Sequence, residues 1–134
     1  MGHHPAISAL PVEGVRLSDV WPLPETYAWN RMWMKCLDEM RLKPGPGMEK
    51  TAERVKRQWS FSFARKPLLL EKSIANTPRM PFIQTYFQPA YFIYIVHNGY
   101  AVSEGLRRGA KPMQWGRDDY GEQYPIELCA QQWA

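Results

Sequence analysis

Glu13, Lys72, Ser73 and His97 are the side chains of this 134-residue chain whose types and settings suit chemistry. They supply a carboxylate, an ammonium, a hydroxyl and an imidazole. Glu13 lies in a turn after an extended segment. Lys72 and Ser73 follow Glu71 in "EKS", at the exit of an apolar run, and His97 opens "HNGY" at the exit of another. Arg107 and Arg108 come about two to three helical turns after His97. Such a set suits an anionic ligand and a proton transfer, because fixed cations hold the anion and a nearby carboxylate or imidazole takes the proton. Each residue also has a plainer reading. Glu13 is then a solvated turn residue, Lys72 a solvated lysine after a strand and Ser73 a turn cap. His97 ends a strand and bonds a backbone group, and the two arginines are a helix end that favours positive charge.

The set works as one only if the elements bring it together. In a parallel sheet ligands collect at the carboxyl ends of the strands, so the strand exits decide which side chains meet. "AISALPVEG" (6–14) reads as a short extended segment ending in a turn, and "WPLPE" (21–25) as a proline-punctuated loop with Pro24 at a helix start. In residues 25–42, apolar Trp29, Met32, Trp33, Cys36, Leu37 and Met40 recur every three or four positions, which predicts an amphipathic helix. The Trp29, Met32 and Trp33 stripe fits a buried helix face, with contact to an acceptor molecule as the other reading. "KPGPG" breaks the pattern. Residues 48–64 read as a second, more charged helix, and "KPLLLEKS" (66–73) as a fully buried strand. Thr77 is a candidate N-cap, with Pro78 at the first helical position and Pro81 still in the first turn. "AYFIYIV" (90–96), aromatic and β-branched between Pro89 and Gly99, reads as the clearest strand. Residues 99–108 follow as a helix and 111–123 as a glycine-punctuated loop. The last helix starts near Pro125, with Ile126, Cys129, Ala130 and Trp133 on one face. Strands alternating with helices make the expected class α/β, a short parallel sheet with covering helices.

Composition narrows the setting. One small domain with a real core is the expectation for residues 1–134. The net charge of +4 is compatible with nucleotides or phosphates, but Lys and Arg are spread without a dense tract, so specific nucleic-acid binding is not expected. No run approaches the length of a membrane span, and "YFIYIV" is strand length. The N-terminus has neither a basic region nor a sustained apolar run, so no signal peptide is expected. Cys36 and Cys129 show no metal or disulfide spacing, which fits a reducing, cytoplasmic setting. His3 and His4 are adjacent but lack further ligands, and no metal is expected.

The block from Glu71 to Arg108 resembles the central segment of sulfotransferases that use 3′-phosphoadenosine 5′-phosphosulfate (PAPS). The matching pieces are "EKS", "YFQPAYFIYIV" and "GLRR". Upstream "HHPAISALPVEG" and downstream "YPIELCAQQW" are similar to flanking parts of that family, so the resemblance spans most of the chain. It implies a partial three-layer fold of the P-loop NTPase type, with PAPS or its product PAP as co-substrate. The acceptor is then a small molecule, a glycan or a peptide. It gives Glu13 the role of general base and Lys72 that of charge stabiliser on the transferring group, and Ser73, His97, Ser103, Arg107 and Arg108 contact the 3′-phosphate. The departures are specific. Residues 1–134 hold no Gly- and Ser-rich donor loop; by chain order it is expected before Met1, which makes this an incomplete domain. His97 stands where the family has an Arg, and a neutral imidazole offers one donor where Arg offers a charged fork. Gly105 stands at the motif's Ser, with Ser103 near but off register. Weak phosphate capture and weak or absent turnover are the expectation. A non-catalytic nucleotide-binding or interaction module on the same fold is the alternative, and a basic nucleic-acid-binding domain is a third. Self-association through exposed aromatic faces is left open.

Overall fold

β1 (Ile7–Ala9) and β2 (Leu68–Leu70) run parallel, with Ile7 opposite Leu68, Ser8 opposite Leu69 and Ala9 opposite Leu70. This is the sheet of the computed structural model, which describes residues 4–63, 66–112 and 118–134. Helices follow each strand, so the α/β class expected from the alternation is present in small form. The chain gathers into two compact units, Met1–Pro22 with Leu42–Ala90, and Leu23–Arg41 with Tyr91–Ala134. Each is described by itself.

The first unit holds the sheet. After β1 the chain makes a 3-10 turn over Gly14–Arg16. The glycine break before Met48 ends in Gly47 at φ 84°, a left-handed conformation that glycine adopts without strain. The 13-residue helix α2 (Met48–Ser60) starts there, after a four-residue helix α1 (Leu37–Met40) of the other unit. Ala52, Val55 and Trp59 recur at helical spacing and form the buried face of α2. They pack in a core with Val15, Trp21 and Phe82. Trp21 stacks on Trp59 at 5.9 Å and meets Phe82 edge-on at 5.9 Å, geometries that suit the ring quadrupoles. A 3-10 segment over Ile74–Arg79 leads into α3 (Met80–Tyr86), whose first turn contains Pro81.

In the second unit, α4 (Gly99–Gly109) packs along α5 (Ile126–Trp133). Asn98 caps α4: its side-chain oxygen accepts from Tyr100 N at 3.0 Å and Ala101 N at 3.3 Å. Met32, Ala110, Tyr124, Leu128 and Cys129 form the core, flanked by Trp29, Leu106 and Tyr120.

Five expectations are corrected. The helix expected over 25–42 is broken into 3-10 turns at Pro24–Tyr27 and Trp33–Cys36 and the short α1. Ala28 and Arg31 take φ 61° and 59°, which no continuous right-handed helix permits. Trp29 instead packs on Tyr120 and Tyr124. The apolar periodicity there recorded burial of Met32, Cys36 and Met40 without recording a hydrogen-bond ladder. Thr77 does not cap a helix; it lies inside the Ile74–Arg79 segment and its hydroxyl donates to the Ile74 carbonyl at 2.8 Å. β2 is not fully buried: Leu68 is 51% and Leu69 39% exposed, because the strand has one neighbour where a buried parallel strand needs two and cover on both faces. The segment 91–96 is not a paired strand. It runs without helix, turn or bend, and among the described residues the sheet holds only β1 and β2. On α5 the buried residues are Leu128, Cys129 and Gln132, while Ile126, Ala130 and Trp133 are exposed. Of the expected loop 111–123, residues 113–117 lie outside the described ones, as does His3.

Candidate functional site

Two segments meet at the carboxyl end of the parallel pair. The ladder continues one step past β1, with Leu10 N donating to Leu70 O at 3.2 Å. Beyond it the chain turns through Glu13 into Gly14–Arg16, and β2 leaves through Glu71, Lys72 and Ser73. The two exits are stitched together. Gly14 N donates to Glu71 Oε1 at 2.8 Å and Val15 N to Ser73 Oγ at 3.3 Å. The Ser73 hydroxyl donates in turn to the same Glu71 oxygen. Trp59 Nε1 donates to Gly14 O at 2.8 Å. Gly14 is needed here for space: a Cβ on it would come within 2.7 Å of Glu71 Cγ and 2.8 Å of Trp59 Cζ2.

Behind this rim lies a buried polar chain. Asn76 donates from Nδ2 to Glu71 Oε2 at 2.9 Å and accepts from Arg79 Nη1 through Oδ1 at 3.4 Å. Arg79 is fully buried, donates to the Pro22 carbonyl and lies 5.2 Å from the Trp21 ring centroid. A buried guanidinium is tolerable only with such partners.

In front, Lys72 Nζ meets Glu13 Oε1 at 3.1 Å, and Arg16 Nε is 4.0 Å from Glu13 Oε2. Lys72 is 73% and Glu13 33% exposed. An ion pair this exposed stabilises the fold by about 0–1 kcal/mol. It holds a carboxylate and an ammonium side by side in reach of solvent, an arrangement able to bind an anion and accept a proton. Glu13, Lys72 and Ser73 are therefore neighbours. Glu71, Asn76 and Arg79, which fix them, received no role from the sequence. "EKS" put Glu71 in view, but nothing in the local pattern distinguishes the buried Arg79 from an exposed one.

No family model, curated protein or solved structure matches this chain. The geometry of its own residues therefore carries the functional argument.

The remaining candidates belong to the second unit. His97 is exposed, just before the Asn98 cap. Ser103 is buried, and its hydroxyl donates back to Gly99 O at 2.8 Å. Arg107 grips Glu104 with two 2.7 Å hydrogen bonds and reaches Gln123 at 3.1 Å, while Arg108 Nε adds a third bond to Glu104 at 2.7 Å. The hydrogen bonds from Arg107 and then Arg108 hold the Glu104 carboxyl down to about 2. Glu104 in return pushes Arg107 above its ordinary value. Glu104, Arg107, Gln123, Tyr124, Pro125 and Ile126 line an open hollow of about 520 Å³. An anion entering it meets Arg107 already engaged by a carboxylate. Burial pushes the Cys129 thiol up, and Cys36 is likewise buried and outside any disulfide. Among the described residues no group of three or more His, Cys, Asp or Glu is arranged to hold a metal ion, and no helix is long and apolar enough to cross a membrane.

Proposed function

We propose that the chain is a sulfotransferase-type protein whose two-stranded sheet is part of a P-loop-NTPase-like fold. The observation that carries this reading is the 3.1 Å Glu13–Lys72 pair at the carboxyl ends of two parallel strands. In the proposed reaction an acceptor oxygen or nitrogen attacks the sulfur of PAPS. The new bond to sulfur forms as the bond from sulfur to the 5′-phosphate oxygen breaks, its electron pair leaving with PAP. The acceptor's proton passes to the Glu13 carboxylate. Lys72 neutralises charge on the transferring group, and Ser73 offers a hydroxyl beside it. Within the second unit, His97, Ser103, Arg107 and Arg108 are the proposed contacts of a 3′-phosphate. With no donor loop within residues 1–134, turnover by this chain is weak or absent, and nucleotide capture is the property to test.

A second reading, a non-catalytic module, is favoured by one observation. Both arginines are engaged by Glu104 and the Ser103 hydroxyl is turned back on its own helix. Calorimetric titration with PAP separates the two. Micromolar binding weakened by His97→Ala supports the nucleotide reading. A flat titration overturns it in favour of the module. Robust sulfonate transfer from labelled PAPS would instead show that this chain turns over without a donor loop.

A further inference from the structure

Tyr91, Phe92, Ile93, Tyr94, Ile95 and Val96 are 84, 43, 66, 77, 65 and 73% exposed. No other stretch of described residues places six large apolar side chains in succession in water. The segment carries no charge, Pro or Gly and no turn or bend, and its residue types are those that favour a pleated, half-covered surface. Its backbone N–H and C=O groups make no ladder within the described chain, so it presents an edge ready to pair.

We infer that Tyr91–Val96 is a self-association strand: two copies of this chain pair antiparallel through it about a two-fold axis at Ile93. Two-fold antiparallel pairing requires one residue to face its own copy, since neighbouring residues point to opposite faces. The apolar run from Ala90 to Val96 has Ile93 at its midpoint. Centring there places Tyr91 opposite Ile95 of the second copy, and Phe92 opposite its Tyr94. These are aromatic–β-branched and aromatic–aromatic pairs, the combinations that stabilise cross-strand contacts. No like charges meet, because the segment has none. Centring one residue later would set Tyr91 against His97 and Ala90 against Asn98.

The area is sufficient for a weak dimer. At the stated exposures the six residues leave roughly 900 Å² in water, taking an aromatic residue at about 150–250 Å². Covering about half of that buries on the order of 450 Å² per copy, near 900 Å² in total, below the roughly 1,200–2,000 Å² of stable interfaces and within the range of weak, transient ones. The dimer is therefore concentration-dependent, forming in the micromolar range.

Sedimentation velocity of the chain from about 1 to 200 µM, spanning that range, tests this. The expected result is a monomer–dimer equilibrium that Ile93→Lys abolishes while its circular dichroism stays that of the wild type, Ile93 being exposed. The register is tested by oxidation. Ile93→Cys places two thiols across the axis, about 5 Å apart at Cβ, and crosslinks as a dimer. Val96→Cys places them about 20 Å apart along the strands and does not crosslink. The native thiols are buried and contribute little background. A monomer at every concentration overturns the inference. So does association indifferent to Ile93→Lys, open-ended polymer in place of dimer, or equal crosslinking by both cysteine variants.

Discussion

Replacing Gly14 by Ala is the most direct test of how the strand-end rim is held. A Cβ there would meet Glu71 Cγ at 2.7 Å, Glu71 Oε1 at 2.8 Å and Trp59 Cζ2 at 2.8 Å, where ordinary contact needs about 3.5–4 Å. Neither neighbour yields cheaply. Trp59 is 4% exposed, stacked on Trp21 and tilted against Phe87, and its indole N–H is committed to the Gly14 carbonyl. Glu71 accepts from Gly14 N, Ser73 and Asn76. If Glu71 swings away, the buried Gly14 N–H loses its acceptor, a cost of about 1–3 kcal/mol. If Trp59 shifts, the core is overpacked, again about 1–3 kcal/mol. Reduced freedom of the unfolded chain returns about 0.4–1 kcal/mol. The Cβ meets both neighbours, so both costs apply, and less that return the expected net loss is about 1–6 kcal/mol, a large part of the roughly 5–15 kcal/mol that holds a domain together. Urea unfolding followed by tryptophan fluorescence measures it, because Trp21 and Trp59 report on this core. Gly45→Ala in the same unit is the control: a Cβ there has nothing within 4 Å, and a change within about 0.5 kcal/mol is expected. Equal midpoints for wild type and Gly14→Ala would refute the close approach and the stitching inferred from it.

Two predictions concern the second unit. Glu104 is held from its usual 4.5 down to about 2 by Arg107 and Arg108; because the folded-state value is depressed, its contribution to stability is complete above about pH 4.5 and is lost as pH falls towards 2. Glu104→Gln should flatten acid unfolding across that window, an effect that salt diminishes at this one-third-exposed side chain, and an unchanged pH profile at low salt would count against the clamp. Asn98→Ala removes the acceptor for Tyr100 N and Ala101 N and should cost about 1 kcal/mol, read from urea unfolding by circular dichroism, with Asn98→Asp near wild type; an Ala variant as stable as wild type would mean that water replaces the cap.

Much of this arrangement was legible because it depends on local pattern. Residues 48–64 read as a charged helix and α2 fills Met48–Ser60, and residues 99–108 read as a helix opening at Gly99, where α4 begins. The extended segment before Glu13 and the apolar run before "EKS" paired in parallel as the alternation implied. What stayed hidden depends on contacts between distant residues. Trp29 left the expected helix for Tyr120 and Tyr124, some ninety residues on. Residues 91–96 have every local mark of a strand, but a strand is completed by a neighbour, and composition does not say whether one is present. The buried face of α5 differs from the expected one because eight residues give too few turns to fix which side is buried. Nothing in the sequence marks Arg79 as buried. Only the fold shows it under Trp21 and tied through Asn76 to Glu71.

That hidden layer explains why the visible one is free to act. Asn76 turns its oxygen to Arg79 and its amide nitrogen to Glu71, linking one buried cation to the carboxylate that fixes the turn. Removing one member of a buried charged set costs several kcal/mol, so this inner layer stays closed whatever binds outside. The outer pair, Glu13 with Lys72, is exposed and weak. An anion that reaches Lys72 therefore displaces Glu13 at a cost of about 1 kcal/mol or less. The displaced carboxylate, still held at the rim because the Gly14 N–H and Trp59 fix its backbone, is then left with only Arg16, 4.0 Å away, beside the bound anion. A strong inner network and a weak outer pair thus divide the work. One sets the position of the turn, and in the proposed reaction the other lets an arriving anion release the Glu13 carboxylate.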